Sequence, residues 1–264
     1  PVPGGYGTEH TVHHQVQPGC EGDVLVLTFD GKGVVVRKEA LREATAKAAA
    51  QDASTLPGRG ARKRMAELAC VHDLKPVPRT VADILPVPGR PSRRRQRSPR
   101  ATGKWLTASI TADIPEVIAA GFDQAHRRDP DHHRTWIALV DGNTTQIQAI
   151  TNQAERHGIH VPIIVDLIHV IGYLWDAAKE FFRTTTLAGM NAARTWVTER
   201  TRMILNGGAR DVAQRIRARA IDSRLKPAAC KRTETVAGYL DRKADYLDYP
   251  TALANGWPIA TGVI

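Results

Sequence analysis

Three apolar runs, each ending on an aspartate, constrain this chain more than any other feature of it. Asp23-Val-Leu-Val-Leu-Thr-Phe-Asp30, the stretch from Thr135 to Val140 before Asp141-Gly142, and Val161 to Val165 before Asp166 are β-branched and continuously apolar. That is the pattern of strands buried on both faces. Asp30-Gly31-Lys32-Gly33 followed by Val34-Val35-Val36 reads as a tight glycine turn into a second strand, and Arg64 to His72 as a third. Helical periodicity marks Glu39 to Ala50, Pro115 to Arg128 and Thr144 to His157. Strand, helix, strand, helix in succession predicts an α/β fold with parallel strands joined by helical crossovers.

Leu167, Ile168, Ile171, Leu174, Trp175, Ala178, Phe181 and Phe182 then recur at three- and four-residue steps, which predicts a long amphipathic helix after Asp166. From Asn191 to Tyr249 only helical patterns follow, broken at Gly207-Gly208. The expected organisation is a loose lead-in over 1–20, an α/β core over 21–183, a helical block over 184–250, and a return to the core over 251–264.

At 264 residues and 42% apolar composition, the chain is long and apolar enough for one substantial core. Its formal charge of +10 is concentrated between Arg59 and Lys104, where thirteen basic residues face only Glu67, Asp73 and Asp83. Within that stretch, 75–104 carries Pro76, Pro78, Pro86, Pro88, Pro91 and Pro99 and then the arginine run, so it is expected to be a flexible basic loop without packed elements. Arg90, Arg93, Arg94, Arg95, Arg97 and Arg100 are the candidate contacts to nucleic-acid phosphates, a localisation signal or an unconstrained loop being the plainer readings.

Cys20, Cys70 and Cys230 are odd in number and far apart, which supports neither a disulfide framework nor a Cys-x-x-Cys zinc site and fits a reducing cytoplasm. Val161 to Trp175 is too short to span a bilayer, and the N-terminus has no basic-then-apolar signal pattern, so no membrane partner is expected. Residue 1 is Pro rather than Met, and Gly262, Val263 and Ile264 form no polar tail; the expectation is a piece of a longer chain.

Ligands collect at the carboxyl ends of strands in open α/β sheets, so Asp30, Asp141 and Asp166 can converge from distant places in the sequence. Converging carboxylates need a cation, and their hard oxygens suit Mg²⁺ or Mn²⁺, a pair of which can cut a phosphodiester. Each aspartate also has a local role open to it. Asp-Gly after a strand serves a turn, and Asp166 can cap the following helix, with His169 at the capping-box position. Lys32 can reach a phosphate or stay solvated in its turn. His132 and His133 beside Asp131, like His10, His13 and His14, lack metal-ligand spacing and read as solvated loop histidines.

Val24-Leu-Val-Leu-Thr-Phe-Asp-Gly-Lys-Gly-Val34, Trp136-Ile-Ala-Leu-Val-Asp-Gly142, Ile164-Val-Asp-Leu-Ile-His-Val-Ile-Gly-Tyr-Leu-Trp175 and Gly256-Trp-Pro-Ile-Ala-Thr-Gly-Val-Ile264 resemble, in order, signature blocks of the ISKra group of bacterial insertion-sequence transposases. The resemblance covers about residues 21 to 264. It implies a ribonuclease H-like, retroviral integrase-like mixed sheet interrupted by an all-helical insertion, with an Asp-Asp-Glu triad that binds Mg²⁺ or Mn²⁺. Asp30 and Asp141 correspond to the first two acids, as catalytic and metal-binding residues. Asp166 and His169 correspond to a supporting Asp-x-x-His element. In that family the segment like Gly262-Val263-Ile264 is followed at once by the glutamate of the triad, so the final catalytic helix is expected just beyond. The implied activity is metal-dependent DNA cleavage and strand transfer on transposon ends and target DNA, by a homo-oligomer. A non-catalytic, basic DNA-binding remnant of such an enzyme is the alternative, and a distinct metal-dependent nuclease using the three aspartates is a third.

Overall fold

The structure, a computed structural model, describes residues 24–35, 63–85 and 95–261. Strands β1 (Val24–Val35), β2 (Lys63–Leu74), β3 (Ala101–Ser109), β4 (Trp136–Val140) and β5 (Ile163–Val165) form one mixed sheet in the order β3-β2-β1-β4-β5. β1, β2 and β3 pair antiparallel, whereas β4 runs parallel to β1 and β5 parallel to β4. Val24 to Phe29 and all of β4 are buried, as strands covered on both faces must be.

Helices α2 (Ile114–Arg128) and α3 (Thr144–Arg156) follow α1 (Val81–Ile84) in the chain. α2 begins with a reciprocal capping box between Asp113 and Glu116 and has Pro115 in its first turn, where a missing N–H costs nothing. It crosses the sheet closely because Gly121 meets the Phe29 ring; a Cβ there would stand 2.8 Å from the ring edge. Asn143 caps α3 by accepting from the Thr145 and Gln146 amides. Over the opposite face lies α4 (Leu167–Phe181), where Leu167, Ile168 and Ile171 share a cavity lining with Leu139 of β4.

The helical block comprises α5 (Leu187–Leu205), α6 (Ala209–Asp222), α7 (Pro227–Lys243) and α8 (Tyr249–Ala254), with a 3₁₀ turn over Ala244–Tyr246. α5 and α7 pack on α4. Arg217 on α6 bridges Glu234 and Asp241 on α7 at 2.7 Å, and Arg232 on α7 holds Glu180 on α4 at 2.6 Å. After α8 the chain returns to the core. The Val77 amide donates to Gly256 O (3.1 Å), the Arg79 guanidinium donates to Trp257 O, and the Leu167 amide donates to Ile259 O (2.8 Å).

Near the amino end of β1, Asp73 accepts from Arg134 at 2.7 Å and Arg128 at 3.2 Å, all three side chains being buried. Burial holds the Arg128 pKa below its usual value while Asp73 opposes the shift.

The structure corrects several sequence expectations. There is no turn at Asp30-Gly31-Lys32-Gly33: β1 runs straight through it, pairing Gly31 with Glu67 and Gly33 with Met65. Neither glycine has the positive φ that a two-residue hairpin turn requires, and both serve as small strand residues. A Cβ on Gly31 would come 3.0 Å from the Met65 methyl. Residues 75–104 were expected to hold no packed element, yet α1 forms there and β3 begins at Ala101. Trp105, with its 6% exposure, anchors β3 directly after the segment expected to be loop. The helix expected over Glu39 to Ala50 lies outside the described residues.

Candidate functional site

The parallel register of β1 and β4 pairs Thr28 with Leu139. Asp30 lies two residues beyond that last pair, midway along β1 rather than at the strand end expected, and Asp141 follows directly on the end of β4, outside the paired residues. Asp30 is bound by Lys32, whose ammonium lies 2.8 Å from its carboxylate. The pKa of Lys32 is raised by that hydrogen bond first, then by the charge of Asp30 and, after a smaller cost of burial, by that of Asp141. The lysine is thus a built-in cation in the field of both aspartates.

Asp141 is shaped by its neighbours. Its carboxylate accepts from the Asn143 amide at 2.8 Å, and Gly142 takes φ +93°, a conformation that L side chains rarely adopt. From the helical block, the Tyr239 hydroxyl donates to the Asp141 carbonyl at 3.2 Å, with the Tyr239 ring stacked on Tyr173 of α4 at 3.9 Å. Burial pushes the Tyr239 hydroxyl pKa up, and Tyr173, Asp141 and Asp166 push it further. Lys243 reaches the same corner, its ammonium 3.1 Å from the Thr144 hydroxyl. The helical block therefore braces the loop that carries Asp141.

Sequence reading missed Glu67. It sits on β2 opposite Gly31, and its carboxyl pKa is raised by burial first, then by the charges of Asp141 and Asp30, with a Gln146 hydrogen bond opposing the rise. No local motif could reveal it, because only the β1–β2 register brings it to this end of the sheet.

Asp166 lies nearby but is spoken for. Its amide donates to Val140 O at 2.7 Å, one carboxylate oxygen caps α4 through the Ile168 amide, and the other accepts from the amide and hydroxyl of Thr261. At 1% exposure it ties the returning chain to the end of β5. His169 is exposed on the first turn of α4 and makes no contact with that carboxylate.

On the face that carries Thr28, Asp30 and Leu139, a cavity of about 690 Å³ opens between α4, the return segment and β2. Arg100 and Lys104 stand at its rim, and His72 lies buried in its wall. Of the candidate phosphate contacts, Arg95, Arg97 and Arg100 are exposed on a segment pinned by the Gln96 amide to Asp83 (3.0 Å); Arg90, Arg93 and Arg94 lie outside the described residues.

The Lys32 ammonium occupies the field that Asp30 and Asp141 share, so a divalent ion there would have to compete with it. The donors are hard carboxylate oxygens, suited to Mg²⁺ or Mn²⁺. No helix among the described residues is long and apolar enough to cross a membrane. Set against known protein families, curated proteins and solved structures, the chain has no match.

Proposed function

We propose that this chain is the ribonuclease H-like catalytic core of an insertion-sequence transposase of the ISKra group, a cytoplasmic enzyme that cuts and joins DNA. The observation that carries the reading is that Asp30, midway along β1, and Asp141, directly after the parallel strand β4, both act on the one Lys32 ammonium. It is supported by the strand order β3-β2-β1-β4-β5, with three antiparallel strands followed by two parallel ones. The helical block after α4 supports the insertion that the resemblance implies.

In this reading Asp30 and Asp141 hold Mg²⁺ or Mn²⁺, and such an ion supplies an activated oxygen nucleophile and charge neutralisation at a phosphodiester. The protein's own residues do the rest. Lys32 offsets the carboxylates until the ion arrives, and Tyr239 and Gly142 fix the loop that aims Asp141. Asp166, through Thr261, brings the returning chain back to the same edge of the sheet. Arg95, Arg97 and Arg100 supply positive charge for the DNA backbone, which strengthens binding without reading sequence.

The test uses the full-length protein with supercoiled plasmid and Mg²⁺ or Mn²⁺. Metal-dependent nicking is expected, lost in Asp30→Asn and in Asp141→Asn while both variants still bind duplex DNA. Failure of the wild-type protein to bind DNA, or nicking that survives both substitutions together, contradicts the proposal.

A further inference from the structure

At the other end of β4, three histidines from separate elements converge. His126 stands in the last turn of α2, His132 in the connection from α2 to β4, and His157 at the C-cap of α3. Their ring nitrogens lie within 4.8 Å of one another, and His126 Nδ1 is 3.3 Å from His132 Nε2. Ligands about 2.0–2.1 Å from a tetrahedral zinc ion stand roughly 3.3–3.4 Å apart, so the His126–His132 pair, in hydrogen-bond contact without an ion, already has the spacing of two ligands, and His157 is close enough to complete the set. The sequence reading of His132 as a solvated loop residue is corrected in part: its ring is half-buried in the cluster, as is that of His157, while His126 is exposed and the neighbouring His133 is turned to solvent with 74% of its side chain exposed.

Two further features favour a cation here. α2 and α3 both end at the cluster, and helix C-termini carry partial negative charge. The connection bearing His132 is also held in shape: Asp129 accepts from the His133 amide (3.0 Å), the Arg134 amide (3.1 Å) and the Trp136 indole (2.7 Å). His132 itself is kept at φ +53°, a left-handed conformation unusual for a side chain of its size. Phe122 stacks on His157 and Trp136 lies edge-on to His132, walling the site on its inner side.

We infer that His126, His132 and His157 form a three-histidine site for Zn²⁺, its fourth position open to water. Imidazole suits Zn²⁺, whereas Mg²⁺ and Mn²⁺ prefer oxygen donors, so this site and the aspartate pair select different ions. β4 separates them by about 16 Å, from five residue steps of roughly 3.3 Å. Bound zinc ties the ends of the two helices that cover one face of the sheet.

The test is titration of the chelator-treated chain with Zn²⁺ against a chromophoric competitor, and with Co²⁺ for its tetrahedral absorption bands. One equivalent is expected. His132→Asn, which tolerates the left-handed backbone, and His157→Gln should each weaken binding beyond the about 10–100-fold typical of losing an outer-shell partner. His133→Gln and Asp30→Asn should leave it unchanged, the latter separating this site from the proposed catalytic one. Circular dichroism of the metal-free variants checks folding. Absence of stoichiometric Zn²⁺ in the wild type, or binding that persists in His132→Asn and His157→Gln and disappears on replacing His10, His13 and His14, overturns the inference.

Discussion

Gly142→Ala tests whether the helical block braces the second aspartate. Gly142 adopts φ +93°, and an added Cβ would meet the Tyr239 hydroxyl at 2.8 Å and two atoms of its ring at 3.4 and 3.5 Å. The ring cannot simply retreat, because Tyr173 stacks against it at 3.9 Å. Backbone strain of about 1–3 kcal/mol and loss of the hydrogen bond from Tyr239 to the Asp141 carbonyl, about 0.5–1.5 kcal/mol, together predict a cost of about 1.5–4.5 kcal/mol. For a chain of this size that is a fall in Tm of roughly 3–18 °C, measured by calorimetry. Tyr239→Phe in the same chain removes the clashing oxygen, so the double variant should lose about 0.5–1.5 kcal/mol less than the two single effects added. A Tm unchanged in Gly142→Ala, or strict additivity with Tyr239→Phe, would refute the bracing.

Three other outcomes follow from buried or coupled charge. Asp73→Asn strands Arg128 and Arg134 as buried cations and should cost about 3–5 kcal/mol in urea unfolding, with Arg95→Ala near neutral as the control. Burial lowers the His72 pKa from 6.5 to about 4, so the unfolded chain binds more protons between those values and stability falls as pH drops from 7 to 4. His72→Gln should flatten that pH dependence by about 3 kcal/mol, and an unaltered slope would place His72 in solvent. Lys32→Gln removes the cation competing for Asp30 and should tighten Mn²⁺ binding by about 1.5- to 5-fold in a metal titration, weaker binding being the contrary result.

The strands that carry the proposed site were legible because burial on both faces leaves a continuous apolar run, as Val24 to Phe29 and Trp136 to Val140 show. The cap at Asp166 was legible for a local reason as well, since caps act within a few residues, whereas the helices after Asp113 and Asn143 were read from periodicity alone. β3 was not: its 101–109 segment alternates weakly and follows an arginine run, and its existence depends on pairing with β2. Gly31 and Gly33 misled for the same reason, because a glycine pair signals a turn unless a partner strand runs alongside. Of the proposed site, Asp30 and Asp141 could be named because each closes an apolar run, although Asp30 proves to lie midway along β1. Glu67 and the three-histidine cluster could not, since register and helix packing, which are non-local, assemble both.

Everything proposed for the catalytic site rests on Asp30 and Asp141 sharing a divalent ion. Calorimetric titration of Mn²⁺ into the wild-type chain and into Asp30→Asn, Asp141→Asn and His157→Gln measures this directly. Two carboxylates make a weak site, so saturation is expected at about 0.1–1 mM, the range of the weakest carboxylate-rich cation sites. The account predicts that either aspartate substitution abolishes the heat of binding while His157→Gln leaves it intact. Mn²⁺ binding that persists in the Asp30→Asn, Asp141→Asn double variant, or that is absent from the wild type at millimolar metal, would contradict it.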